Sequence, residues 1–155
     1  MWVPPEIKDP VCLHAPTRKS ISFFGAVRVR DGRLVMSRPE GNFDAQTCWT
    51  FLRHLRRVSR RRGRRIIVII DNAKYHHAKL HAAWRKRVAP DFTLHFLPPY
   101  SPQLNPIERV WKLTRRRCVH NRHFPVLAQL IAAVQPQFRA WSRPNATLQR
   151  LCSIL

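Results

Sequence analysis

Two carboxylates in this sequence stand where they could do chemistry. Asp71 follows the apolar run Ile66-Ile67-Val68-Ile69-Ile70, and Glu108 lies three residues after Asn105, at the start of a helical pattern. In open α/β sheets ligands collect beyond the carboxyl ends of strands, which is where Asp71 falls. Carboxylate oxygens suit hard divalent cations. Two such cations about 3.5–4 Å apart would stabilise both the attacking and the leaving oxygen of a phosphoryl transfer. Each acid also has a plain local reading. Asp71 could cap the helix after it, and Glu108 occupies the capping-box place relative to Asn105. Spacing alone leaves both readings open.

Other constellations are weaker. His77 and His81 are four apart and His120 and His123 three apart, spacings that can bind zinc, but no third ligand or H-E-x-x-H accompanies them. A polar, partly exposed helix face is the preferred reading. There is no nucleophile elbow and no catalytic cysteine signature. Four glycines in the whole chain leave no room for a phosphate-cradling glycine loop. Trp111 could stack an unpaired base, although its spacing from Ile107 favours core packing.

Charge narrows the partner. Lys and Arg number 29 against 8 Asp and Glu, so the net charge is +21 and the pI about 11.7. Such a surface points to a polyanion, nucleic acid first and an acidic membrane second; a bias towards Arg is the plain alternative. Arg60, Arg61, Arg62, Arg64 and Arg65 form one basic run, and Lys112, Arg115, Arg116 and Arg117 a second. Each could meet DNA phosphates or be a solvated helix end. Apolar residues make up 45%, which excludes wholesale disorder. No apolar run reaches the roughly 18 residues of a membrane span, and Met1 to Glu6 lack the character of a signal peptide. A cytoplasmic, nucleoid-associated protein is expected. Cys12, Cys48, Cys118 and Cys152 are scattered, so reduced and mostly buried thiols are expected.

The elements that must position the acids follow from periodicity. Residues 1–19 read as an irregular, proline-rich arm. Ile21–Val29 and Arg33–Met36 flank Asp31-Gly32 and read as a hairpin. Asn42 or Asp44 can cap a helix with Cys48, Phe51, Leu52, Leu55 and Val58 on one face, running through Arg60-Arg61-Arg62 to Gly63. The unbroken run Ile66–Ile70 reads as a central strand covered on both faces. A helix over His76–Val88, with Leu80, Ala83, Trp84 and Val88 on one face, and a strand over Phe92–Phe96 follow. The prolines of Leu97–Leu104 hold a loop, and Asn105-Pro106 opens the helix that carries Glu108. Phe124-Pro125 begins a last helix that Pro136 should kink or break, and residues 142–155 yield no element and read as a tail. One domain over residues 20–141 is expected, α/β in class with a mixed sheet and flanking helices.

Ile69-Ile70-Asp71-Asn72-Ala73-Lys74-Tyr75-His76-His77 and Phe96-Leu97-Pro98-Pro99-Tyr100-Ser101-Pro102-Gln103-Leu104-Asn105-Pro106-Ile107-Glu108-Arg109-Val110-Trp111 resemble the DDE transposases, in the bacterial insertion-sequence branch related to the mariner elements. Phe24-Gly25-Ala26-Val27 resembles the family's second strand, and the likeness covers about residues 1–140. The resemblance implies an RNase H-like fold and cut-and-paste DNA chemistry. It implies Mg²⁺, with Mn²⁺ as a substitute, held by three carboxylates, of which Asp71 matches the second and Glu108 the third. The family's first Asp lies upstream of a segment resembling Trp2-Val3-Pro4, and Asp9, Asp31 and Asp44 do not match it. The first central strand is therefore expected to be missing, along with the end-reading helix-turn-helix region. An unpaired strand edge then invites another chain, such as a second copy or the product of an upstream reading frame. Little activity is expected of the chain alone. A DNA-binding remnant or inhibitor of a full-length transposase is the alternative, and a basic structural protein a third reading.

Overall fold

The computed structural model describes residues 20–39 and 41–153; the expected arm over residues 1–19, and Cys12 within it, lie outside them. The chain is α/β. Strands β1 (Phe24–Arg28) and β2 (Arg33–Ser37) form an antiparallel hairpin in the register Phe24↔Ser37 to Arg28↔Arg33. Residues of a strand alternate between faces, and the hairpin uses both. Phe24, Ala26 and Val35 pack into one apolar cluster, and Val27, Leu34 and Met36 into another. Arg28 Nε donates to Asp31 Oδ1 at 2.7 Å across the turn. Gly32 has φ +69°, and an added Cβ would lie 2.0 Å from the Asn145 carbonyl oxygen, so no other residue fits there.

Helix α1 (Ala45–Ser59) starts where a polar oxygen can serve it. Asp44 accepts from the Thr47 amide at 2.7 Å, and the Thr47 hydroxyl accepts from the Asp44 amide, a complete capping box. Its buried stripe is Cys48, Phe51, Leu52 and Leu55, as the spacing predicts. Each large side chain there stabilises the fold by about 1.5–3 kcal/mol. The helix ends at Ser59 rather than at Gly63, because Arg61 and Arg64 bridge one another in a tight turn instead.

Strand β3 (Ile66–Ile70) pairs with β4 (Phe92–Phe96) in parallel, Ile66↔Phe92 to Ile70↔Phe96. The expectation that both faces of β3 are covered is corrected. Ile67 is 59% exposed and Ile69 41%, while Ile66 and Val68 pack on the core below α1. The expected single mixed sheet is corrected too. Among the described residues there are two two-stranded sheets, β1-β2 and β3-β4, with no ladder between them. A groove of about 950 Å³ runs between β1 and β3 instead.

The expected helix over His76–Val88 is only half present. Lys74–His77 and Lys79–His81 are 3₁₀ turns, and helix α2 is confined to Ala82–Val88. Ala78 between them is extended (φ −57°, ψ 138°). The side chains of this stretch bond back to the chain, as where His81 Nε2 meets the Tyr75 carbonyl at 2.9 Å. Such bonds compete with helix. Trp84 and Val88 are buried as expected, whereas Leu80 is 53% exposed.

Helix α3 (Pro106–Thr114) is capped by Asn105, whose Oδ1 accepts from the Ile107 amide at 3.4 Å. It continues into a π-turn over Arg115–Val119. Helix α4 (Leu127–Trp141) runs through Pro136 without breaking, held on either side by buried Val134 and Trp141. Residues 142–155, which carry no legible pattern, contain helix α5 (Ala146–Cys152). Its Leu148 and Cys152 are fully buried with Leu34, Val110 and Trp141. The Asn145 amide donates to the Asp31 carbonyl at 2.8 Å, so α5 is docked on the hairpin turn. Cys48, Cys118 and Cys152 are free and buried.

Candidate functional site

Asp71 leaves the carboxyl end of β3 and turns back on its own loop. Its Oδ1 accepts from the Ala73 amide at 3.1 Å and lies 3.2 Å from His76 Nε2. The carboxylate is half exposed while the His76 side chain is buried. Asn72 Nδ2 donates to the Leu97 carbonyl, and the Leu97 amide donates to the Ile70 carbonyl at 2.9 Å, so the loops leaving β3 and β4 are tied together. Asn72 Oδ1 also meets His77 Nε2 at 3.2 Å, and the His77 ring stacks on Phe96. The expectation of a shared, partly exposed helix face for His77 and His81 is corrected. His77 sits in a 3₁₀ turn, and His81 is fully buried.

Glu108 lies in the first turn of α3. The capping-box reading does not hold for it, because the Asn105 amide donates to the Pro102 carbonyl at 3.0 Å instead. Its carboxylate is left exposed at the positive end of a helix. Asp71 and Glu108, far apart in sequence, both line the groove between β1 and β3.

The Phe24 ring at the start of β1 lies 6.0 Å from the ring of Tyr75, just beyond the end of β3. Asp71 and Glu108 line the groove with Tyr75 and His76, and Arg28, Arg30, Arg61, Arg64 and Arg65 line it too. Of the second basic run, Arg115 lines it. Arg62, Lys112, Arg116 and Arg117 are exposed elsewhere, and Arg60 pairs with Asp91 at 3.4 Å. Trp111 packs against Gly25, where a Cβ would lie 2.7 Å from the indole. Core packing thus accounts for the ring.

Periodicity does not single out the residues behind Asp71. Cys48 Sγ lies 3.2 Å from His76 Nδ1, so a thiol, an imidazole and a carboxylate stand in line. Burial pushes the Cys48 thiol up to about 11 and holds His76 down at about 4, against the pull of Asp71. Burial thus favours the neutral imidazole, which can still donate a hydrogen bond to Asp71. Cys48 is 1% exposed, and its burial favours the thiol over the thiolate. Cys48 is legible only as one member of an apolar stripe. His76 stands in the stretch that carries the family resemblance, but only the fold shows what it touches.

The donor set fits a hard divalent cation in kind: two exposed carboxylates bordering one groove. Among the described residues no group of three or more His, Cys, Asp or Glu is placed to hold a metal. No helix among them is long and apolar enough to cross a membrane.

The chain is similar to two known proteins over part of its length. An uncharacterized protein y4pE/y4sA of Sinorhizobium fredii is 39% identical over 62 residues, 40% of this chain and 42% of that protein. The insertion element IS630 uncharacterized 39 kDa protein of Shigella sonnei is 27% identical over 95 residues, 61% of this chain and 27% of its own length. The matched stretches thus span less than half the length of either relative. The DDE superfamily endonuclease family matches residues 2–131, across β1 to β4, Asp71, Glu108 and the first part of α4, and the chain belongs to that family.

Proposed function

We propose that this chain is the part of a DDE-type transposase that supplies two of its three metal-binding carboxylates, Asp71 and Glu108, for cleavage and joining of DNA. One observation carries the reading. Two exposed acids from separate elements border a single groove in a chain of net charge +21. Mg²⁺, or Mn²⁺ in its place, would polarise the scissile phosphate and activate a water when bound by such oxygens. The protein's own contribution is positional. Strand β3 and its tied loop present Asp71, the Asn105 cap sets the start of the helix bearing Glu108, and the arginines along the groove attract the DNA backbone.

In this reading the fold is RNase H-like, and the β1–β3 groove is the place of a central strand. Both edges facing the groove are without a ladder among the described residues, and Val29, Ile67 and Ile69 expose apolar surface in it. That strand, carrying the third carboxylate, belongs to a further stretch of polypeptide, within a longer product or on a partner chain such as that of an upstream frame. DNA is the partner, and self-association through the open edge gives a homodimer. A second reading, a DNA-binding competitor without catalysis, is favoured by the two-acid donor set.

The test is DNA cleavage with Mg²⁺ or Mn²⁺ and terminal-repeat DNA. The 155-residue chain alone is expected to be nearly inactive. A longer polypeptide adding an acidic first strand is expected to cleave, with Asp71→Ala and Glu108→Ala each abolishing activity. Robust cleavage by the chain alone, lost in Asp71→Ala, overturns the need for a third acid. Complemented activity that survives Asp71→Ala overturns the site.

A further inference from the structure

Asp71 is gripped from behind by a chain of two buried groups. Cys48 is 1% exposed and His76 7%, and they come from elements 28 residues apart in sequence. His76 Nε2 lies 3.2 Å from Asp71 Oδ1, and its Nδ1 lies 3.2 Å from the Cys48 sulfur. An ionised carboxylate only accepts hydrogen bonds, so Nε2 must carry the proton. In the neutral ring Nδ1 is then an acceptor, and the partner able to donate to it is the Cys48 thiol. The direction of the chain is thereby set: thiol to imidazole, imidazole to carboxylate.

The backbone is shaped to permit this. The His76 amide donates to the Ala73 carbonyl at 2.9 Å in a 3₁₀ turn, which folds residue 76 back beneath residue 71. The Ala73 amide donates to the same Oδ1. Both hydrogen bonds to the carboxylate thus fall on one oxygen, Oδ1, and Oδ2 takes neither. A histidine needed only for packing would have no reason to spend a ring nitrogen on a half-exposed carboxylate that water could satisfy.

We propose that His76, held in its tautomer by Cys48, is a positioning residue: it fixes Oδ1 of Asp71 and so turns Oδ2 towards the groove as the metal-binding oxygen. This rests on the reading of Asp71 as a metal ligand. Groups that hydrogen-bond a ligating side chain typically change metal affinity by about 10–100-fold when removed. The reason is that an unrestrained carboxylate must lose its rotational freedom each time the ion binds.

The experiment uses the full 155-residue chain and Mn²⁺ alone, with free Mn²⁺ read by electron paramagnetic resonance. Thermal midpoints and the imidazole nitrogen NMR spectrum are recorded on the same samples. Asp71→Asn is expected to abolish site binding. His76→Phe is expected to weaken it by about 10-fold. His76→Gln, whose amide N–H can reach the same oxygen, is expected to keep wild-type affinity. Cys48→Ala is expected to weaken binding while Cys48→Ser, which keeps a donor, does not. The wild-type ring is expected to carry its proton on Nε2, and a proton on Nδ1 overturns the proposal. If Asp71→Asn loses the ion while His76→Phe and Cys48→Ala bind it as wild type does, the positioning role falls and the ligand reading stands. If Asp71→Asn binds as wild type does, both fall; if the wild type binds no Mn²⁺, the positioning role in this chain falls and the cleavage test with the added acidic strand decides the ligand reading. Should His76→Phe fail to fold, the Cys48→Ala and Cys48→Ser pair decides by the same criterion.

Discussion

Glu108 and Asn105 separate two roles that a capping motif would merge. Asn105 satisfies the start of α3 with its side chain, and its own amide is already bonded to Pro102, so Glu108 has no cap to complete. Asn105→Ala is expected to lower stability by about 1 kcal/mol. Glu108→Gln is expected to change it by less than about 0.5 kcal/mol, as for a surface site free of such features. Urea unfolding of the two variants checks this, and an equal loss in both would restore the capping role. Asp31 offers a pH test at the same scale. Its bond from Arg28 holds its carboxyl below the ordinary value of 3.8. A depressed folded value stabilises the protein above the unfolded pKa, and that contribution disappears as pH falls through the folded one. Asp31→Asn is therefore expected to cost stability at pH 7 and to match the wild type more closely below pH of about 3. Parallel stability curves across that range would contradict the assignment. Asp71 and Glu108 stand out in the sequence by place alone, an acid after an apolar strand and one early in a helix. His76 does not, because its meaning depends on a cysteine 28 positions away.

The elements that were legible are those whose signal is local. Asp31-Gly32 between two β-rich runs and the stripe of α1 carry their own geometry, and both appear where expected. The stretch before α2 does not, since His76 and His81 take their partners from tertiary and loop contacts in place of a regular helix. Helix α5 was hidden for a different reason. Seven residues give too few turns for a period, and its stability comes from the surface it docks on. Leu148, fully buried against Leu34, Val110 and Trp141, makes that dependence measurable. Leu148→Ala is expected to cost about 2–5 kcal/mol, a core effect in a segment that reads as a tail. A loss below about 0.5 kcal/mol in chemical denaturation, typical of surface positions, would show α5 to be peripheral.

For the molecule as a whole, charge and shape act on different partners. A net charge of +21 on 155 residues attracts phosphate regardless of base sequence. DNA affinity is expected to fall by about 10³-fold or more between 50 and 200 mM salt if some six phosphates are neutralised. Fluorescence anisotropy with two unrelated duplexes checks this, with similar affinities expected for both. A flat salt response would mean that the basic runs do not meet the backbone. The groove asks for something else. Its apolar surface, and strand edges that carry no ladder among the described residues, suit polypeptide.

The residues by themselves determined the α/β class and the hairpin, because each follows from local pattern, and they named two acids and a basic surface as candidates for function. Only the tertiary structure decided that β3 is covered on one face, that α5 belongs to the core, that Glu108 is free of its cap and that Cys48 and His76 stand behind Asp71. Those facts depend on which distant surfaces meet. A burial pattern in one strand records that some neighbour is tolerated there, but not whether one is present.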